Sequence, residues 1–294
     1  MRQDTHAQPV AEHLDDGGCS PRQDGSEAQR DSILPGIASG ERLLALACDE
    51  SSRHAPQNVN TEARADGATY RISGTKVAVL DGHIADMFIV SARTGQDLSL
   101  FLVPSRARGV TVEPYQVLDT HFAANVSFEG VEVGQQDLLG PLNDGVRTQD
   151  FILDVGRVGV AAELLGITQE AFERTIDYLK ERKQFGVTIG SFQALQHRAA
   201  HLFAEIEMCK SLVIKALQTL DNGTDGVAEL ASLTKAKLAE TARLATTEAI
   251  QMHGGIGMTD DFDIGFFLKR CRILESLFGD QYFHLDRFAR ERGY

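Results

Sequence analysis

The apolar residues of this chain change their period near Gly145, so the chain cannot fold as one uniform layer. Before that point the runs are short and rich in β-branched or aromatic residues: TYRISG, TKVAVL, DMFIVSA, LSLFLVP, VTVEPY and NVSFEGVEV. Turn signals such as DG, GHIA, TGQD and ARG separate them. Six strands at hairpin-like spacing predict a small antiparallel β-barrel or sandwich over residues 41–145. Beyond it, Leu202, Ile206, Cys209, Val213, Ala216 and Leu220 step by four and three, which lays one apolar stripe along a helix. Similar stripes over 150–183 and 228–252, joined by connectors such as DNGTDG, predict a helical bundle over 146–294. The fold class is therefore α+β and multidomain. Residues 1 to about 30, rich in Asp, Gln, Gly and Ser, read as disordered.

Composition narrows the function classes. The 294 residues are 43% hydrophobic, enough for a sizeable core. A net charge of -13 argues against nucleic acid as a partner. Local basic clusters (Lys180, Arg182 and Lys183; Lys269, Arg270 and Arg272) suit a small phosphorylated ligand. No apolar run approaches the length of a membrane span, and the amino terminus lacks a signal-peptide pattern. Cys19, Cys48, Cys209 and Cys271 are far apart and read as thiols of a reducing, cytoplasmic environment.

Three motifs carry chemistry. In ERKQFG (181–186) Arg182 offers a fork for pyrophosphate with Gln184 beside it; the alternative is a helix end capped by Gly186. In AIQMHGGIGMTDD (249–261) one glycine would end a helix, and the further ones let a ligand approach the backbone. HRAAH (197–201) has the spacing of a zinc helix but lacks its Glu and a third ligand, so no metal site is expected. Phosphate-loop, Rossmann and nucleophile-elbow patterns are absent. In ILESLFGDQYF (273–283) Asp280 is either a catalytic carboxylate or the cap of the last helix.

Together with LPGIASGE (34–41), ISGTKVAVLDGHIADMFIVSAR (72–93), LFLVP (100–104), FEGVEV (128–133), GRVGVAAELLGITQEAFERTIDYLKERKQFGVTIGSFQALQHRAA (156–200) and QMHGGIGMTDDFDIGFFLKR (251–270), these motifs occur in one order from about residue 27 onward. The chain thereby resembles the acyl-CoA dehydrogenase family. The resemblance implies an N-terminal helical domain, a β domain and a C-terminal four-helix domain, with FAD as cofactor. It assigns residues 1–40 to a tail and the remnant of the first domain, most of which is missing here. It further implies that Arg182 and Gln184 contact the FAD of a neighbouring subunit, and that Gln193, Gln251, Gly254 and Gly255 hold flavin at a dimer interface. The implied reaction is α,β-desaturation of an acyl-CoA thioester. A Glu carboxylate takes the α-proton, hydride leaves the β-carbon to the flavin, and the electrons pass to an electron-transfer flavoprotein.

The chain departs from that pattern at its base. Phe278 occupies the place of the usual Glu, and Asp280 that of a flavin-contacting Thr. The alternative base position, on the first long helix of the helical domain, is Gly156. A Thr-Glu-Pro segment that contacts flavin and substrate is here Asp49-Glu50-Ser51. The expectation is an oxidoreductase of lipid or fatty-acid metabolism that forms a homodimer or tetramer, or a heteromer. Within it, the chain is a non-catalytic subunit that pairs with a base-bearing homologue; otherwise Asp280 or Glu275 replaces the Glu. The alternatives are a flavin-free scaffold, a truncated gene product, or a flavin oxidase on the same fold.

Overall fold

The computed structural model describes residues 24–223 and 225–294. The expected disordered tail lies outside them up to residue 23. From Glu27 to Ala38, however, the chain is a helix, α1, whereas disorder was expected to about residue 30. Its cause is a capping box: Ser26 Oγ accepts from Gln29 N–H while the Gln29 side chain accepts from Ser26 N–H.

Two compact units divide the chain, the first comprising the residues up to Gly156 together with the short segment from Asp221, and the second running over Arg157–Leu220 and Asp225–Tyr294. In the first, α1 precedes β1 (Leu44–Ala47), β2 (Glu62–Asp66), β3 (Thr69–Leu80), β4 (Met87–Thr94), β5 (Asp97–Pro104), β6 (Val110–Gln116), β7 (Phe122–Gly134) and β8 (Leu138–Leu139). The strands form one sheet in the order β6-β7-β3-β2-β4-β5-β8, and β1 also pairs with β4. The sheet is mixed rather than wholly antiparallel, because β1 and β2 both run parallel to β4. The β2–β3 hairpin intervenes between β1 and β4 and gives the chain the length a parallel crossover needs. Strand β5 is buried on both faces. Phe101 and Val103 join one core with Phe88, Phe128 and Val131, while Leu98, Leu100 and Leu102 join Ile33 and Ile37 of α1 in another. That explains why LSLFLVP lacks the alternation of a half-exposed strand.

A buried ion pair ties β1, β3 and β4 together. Lys76 Nζ donates to Glu50 Oε1 (2.8 Å), Ser91 Oγ (3.0 Å) and Cys48 O (3.2 Å). Glu50 also accepts from the Asn60 and Thr61 amides at 2.7 and 2.9 Å. Gly74 on β3 has no room for a side chain, since a Cβ there would stand 2.7 Å from Thr61 Cα.

The second unit is helical. Helix α2 (Gly145–Glu181) leads into a two-stranded hairpin, β9 (Lys183–Gln184) and β10 (Val187–Thr188); α3 (Gln193–Asp221), α4 (Val227–His253), α5 (Ile264–Ser276) and α6 (Gln281–Glu291) follow. The expected stripe of α3, from Leu202 to Leu220, is buried throughout. The short α6 adds to the four longer helices and is fixed to α4 by Arg287, which donates to Ala228 O and Ser232 Oγ.

Burial alone would raise the Glu50 pKa, but hydrogen bonds from Lys76 and Thr61 and the Lys76 charge outweigh it and bring it down to about 2. A folded pKa below the unfolded one contributes stability above about 4.5 that is lost as pH falls toward 2. Glu50→Ala leaves the Lys76 charge buried and unpaired. We expect a loss of about 3–5 kcal/mol in chemical denaturation at neutral pH, and a shallower acid limb than the unsubstituted chain shows.

Candidate functional site

Helix α4 ends in the glycine turn singled out in the sequence. Gly254 takes φ 68 and its N–H donates to Gln251 O, so it serves as a left-handed stop. Gly257 is required by packing: a Cβ there would lie 2.9 Å from Ile250 O. Gly255 is explained by neither cause, because its φ is not positive and an added Cβ meets nothing within 4 Å. Both Gly254 and Gly255 face open space.

The end of α2 meets this turn. The Tyr178 hydroxyl donates to His253 O at 3.2 Å, and its ring stacks on His253 with centroids 4.3 Å apart. His253 Nδ1 is 2.7 Å from Ala249 O and acts as the donor there; burial pushes the imidazole pKa down and keeps the ring neutral. One turn beyond Tyr178, Arg182 N–H donates to Tyr178 O. The helix stops at Glu181, so Gly186 is not its cap, as the alternative reading held. Phe185 (φ 54) and Gly186 (φ 80) are instead the two turn residues of the β9–β10 hairpin. Phe185 is 90% exposed, which leaves a bare aromatic ring at the hairpin tip. The side chains of Arg182, Gln184, Gln193 and Gln251 are exposed, and none makes a hydrogen bond or ion pair among the described residues.

Phe278, Gly279 and Asp280 stand elsewhere. Phe278 (φ 56) and Gly279 (φ 111) break the chain between α5 and α6. Two buried cations hold this break: Arg157 Nε donates to Phe278 O (3.1 Å), and Lys235 Nζ donates to Glu275 O and Gly279 O (both 3.1 Å). The Phe278 ring packs against the core formed by Val160, Leu164, Leu238 and Leu274. Asp280 caps α6, its Oδ1 accepting from Phe283 N–H at 2.8 Å. Glu275 is engaged by Arg243 (3.7 Å) and Arg272 (3.3 Å), and burial pushes its pKa up. Lys235 precedes Gly254 by 19 residues of α4, a rise of roughly 28 Å along the helix. The fold of one chain therefore does not gather Asp280 with the residues around the glycine turn. Gly156 is buried within α2. In the first unit, Asp49 turns inward: Oδ2 lies 2.7 Å from His54 Nδ1, and Oδ1 accepts from Ala55 N–H.

Arg157, Lys235, Tyr178 and His253 were not foreseen as parts of the site. Lys235 had a visible signal, since it sits in step with Ala231, Leu238 and Ala242 on the buried stripe of α4. A lysine there must find backbone or carboxylate partners. Arg157 likewise falls in step with Leu153, Val160 and Leu164.

Among the described residues, no group of three or more His, Cys, Asp or Glu side chains is placed to hold a metal ion, and no helix is long and apolar enough to cross a membrane.

Residues 143–292 match the family described as acyl-CoA dehydrogenase, C-terminal domain, and residues 46–131 match its middle domain. A 3-(aryl)acrylate reductase of Clostridium sporogenes is 33% identical over 85% of this chain and 68% of its own length. The CarC subunit of a caffeyl-CoA reductase-Etf complex of Acetobacterium woodii is 30% identical over 85% and 68%. The solved structure of butyryl-CoA dehydrogenase from Megasphaera elsdenii superposes with a TM-score of 0.91 at 25% identity, covering 98% of this chain and 76% of that one. The chain spans between 63% and 68% of the length of such curated relatives.

Burial, then the nearby Arg157 charge, lowers the Lys235 pKa to about 7, against partial relief from Glu275 and Asp280. Between about 7 and 10.5 the unfolded chain holds a proton that the folded chain has released, so stability rises with pH across that window. The neutral amine still has two protons for its two carbonyls. We expect Lys235→Met to abolish the rise, as read by urea unfolding at successive pH values from neutral to moderately alkaline.

Proposed function

The chain belongs to the acyl-CoA dehydrogenase family, and from that premise we propose that it is an FAD-binding subunit without a base of its own, completing a flavin site with a base-bearing homologue. The family is one of FAD-dependent oxidoreductases acting on CH–CH bonds. The finer reading is α,β-desaturation of an acyl-CoA thioester, with electrons exchanged with an electron-transfer flavoprotein; the relation to an Etf-complex subunit supports that partner.

The observation that carries the flavin half of the proposal is the open turn at Gly254 and Gly255: α2 meets it through Tyr178, and Arg182 and Gln184 follow just past the end of that helix with their side chains uncommitted. These residues fit the cofactor. The guanidinium offers a bidentate fork for a diphosphate, the glutamines offer amides for polar ring edges, and the glycines allow contact with the backbone itself. FAD, when bound, supplies the hydride acceptor. Exposure of Phe185 at the hairpin tip fits a segment that completes itself against another chain.

The observation that carries the other half is the state of the 278–280 turn. Phe278 offers no proton acceptor, and its ring is committed to the helical core. Asp280 gives one oxygen to the α6 cap, and Glu275 is drawn between two arginines. In the β unit, Asp49 accepts where the family's Thr would also donate. A carboxylate that removes an α-proton needs an uncommitted oxygen; Phe278 has none, and at Asp280 one of the two carboxylate oxygens is held by the helix cap.

Two outcomes test the proposal. On anaerobic addition of medium-chain, long-chain and sterol-side-chain acyl-CoAs, the purified chain reconstituted with FAD should keep its flavin absorbance. Bleaching by the chain alone would contradict the baseless reading, and Asp280→Asn would then decide whether Asp280 is the base. A chain that takes up no FAD would contradict the flavin reading. Separately, Gly255→Val should reduce bound FAD at least tenfold while shifting unfolding by only about 0.5 kcal/mol; equal FAD content in the variant would remove Gly255 from the site.

A further inference from the structure

In the first unit the sheet opens a wedge that the flavin reading does not use. Strands β2 and β4 are paired only at Glu62 and Arg93. Past that pair β2 continues to Asp66 against β3 alone, while β4 turns into β5 at Thr94 and Asp97. The β4-facing backbone edge of Ala63–Ala65 is therefore left without a strand partner. A cleft of about 500 Å³ fills the gap, lined by Arg64, Tyr70, Arg93, Thr94 and Asn143 among others. That is the size of a small-molecule site.

Arg93 is the unusual member. It is half-buried, yet its guanidinium has one contact, Nη2 to Gly95 O at a marginal 3.4 Å, and no carboxylate within ion-pair distance among the described residues. Nearby, Arg64 pairs with Glu62 at 2.7 Å. Two cations and one anion leave the cleft with one positive charge on a chain whose net charge is -13. Thr94 and Asn143 are already fixed to each other, Thr94 Oγ1 donating to Asn143 Oδ1, and Ser99 Oγ accepts from the Asn143 amide at 2.8 Å. The far wall is thus held in place before any ligand arrives. A partly desolvated guanidinium without a counter-charge is costly to keep, and its planar fork matches an oxyanion.

We propose that this cleft between β2 and the β4–β5 hairpin binds the oxyanion head, phosphate or carboxylate, of a small molecule, with Arg93 as its anchor. Arg64 adds charge at the mouth, and the unpaired β2 edge offers amides and carbonyls to the rest of the ligand.

The test is calorimetric titration of the full chain at low ionic strength with inorganic phosphate, pyrophosphate and succinate. At least one should bind saturably, and the preference between the phosphates and succinate identifies the head group. Arg93→Gln should weaken binding at least tenfold, and Arg93→Lys should recover part of it. Arg64→Gln should weaken it a few-fold; that side chain is 82% exposed, so the fold is not at stake. Arg290→Gln, on α6 and paired with Asp286, should leave binding unchanged. No saturable binding, or equal binding by the Arg93 and Arg64 variants, would overturn the proposal.

Discussion

The helical unit depends on two cations placed where cations are expensive. Arg157 and Lys235 are buried, and both donate to carbonyl oxygens of the break between α5 and α6. A chain reversal inside a bundle strips peptide carbonyls of water, and an unsatisfied carbonyl there costs about 1–3 kcal/mol. Arg157 brings a planar fork that also lies 5.5 Å from the Phe283 ring centre, and Lys235 brings a flexible stem that reaches two carbonyls. Burial first, and the neighbouring Arg157 charge second, are the reasons Lys235 yields its proton readily. What they secure is a left-handed pair, Phe278 and Gly279, and through it the start of α6.

The same device recurs in the β unit. Lys76, fully buried, reaches the Cys48 carbonyl and the Ser91 hydroxyl while Glu50 balances its charge. Each unit therefore uses a buried lysine to fix an irregular stretch of backbone. The differences between the two explain their electrostatics. Lys76 has a carboxylate at 2.8 Å, whereas Lys235 has carbonyl partners and a neighbouring guanidinium. The turn at 278–280 is thereby held firmly in place, and it carries a phenyl ring and a capping carboxylate.

Periodicity made the larger plan legible. The four-three steps of α3 and the short β-branched runs correspond to elements whose apolar side chains are buried. Partner choice within the sheet was not legible, because β1 (LALA) carries nothing that distinguishes a parallel from an antiparallel neighbour. The S-x-x-Q box at Ser26 and Gln29 was readable and outweighs the polar composition around it. At the candidate site, Arg182, Gln184, Gln193, Gln251, Gly254 and Gly255 stood out through motif resemblance, and the structure adds a physical contrast between Gly257, required by packing, and Gly255, which is not. Arg157 and Lys235 went unseen because a charged residue on an apolar stripe looks like an interruption until its carbonyl partners are known.

In the proposed reading this chain holds flavin-binding elements but no proton acceptor for an α-carbon. Removal of that proton can be followed without any redox step, by nuclear magnetic resonance of an acyl-CoA incubated in heavy water with the FAD-loaded chain. The α-protons should exchange no faster than in buffer alone. Exchange accelerated by the wild-type chain would show that a base is present and would contradict that reading.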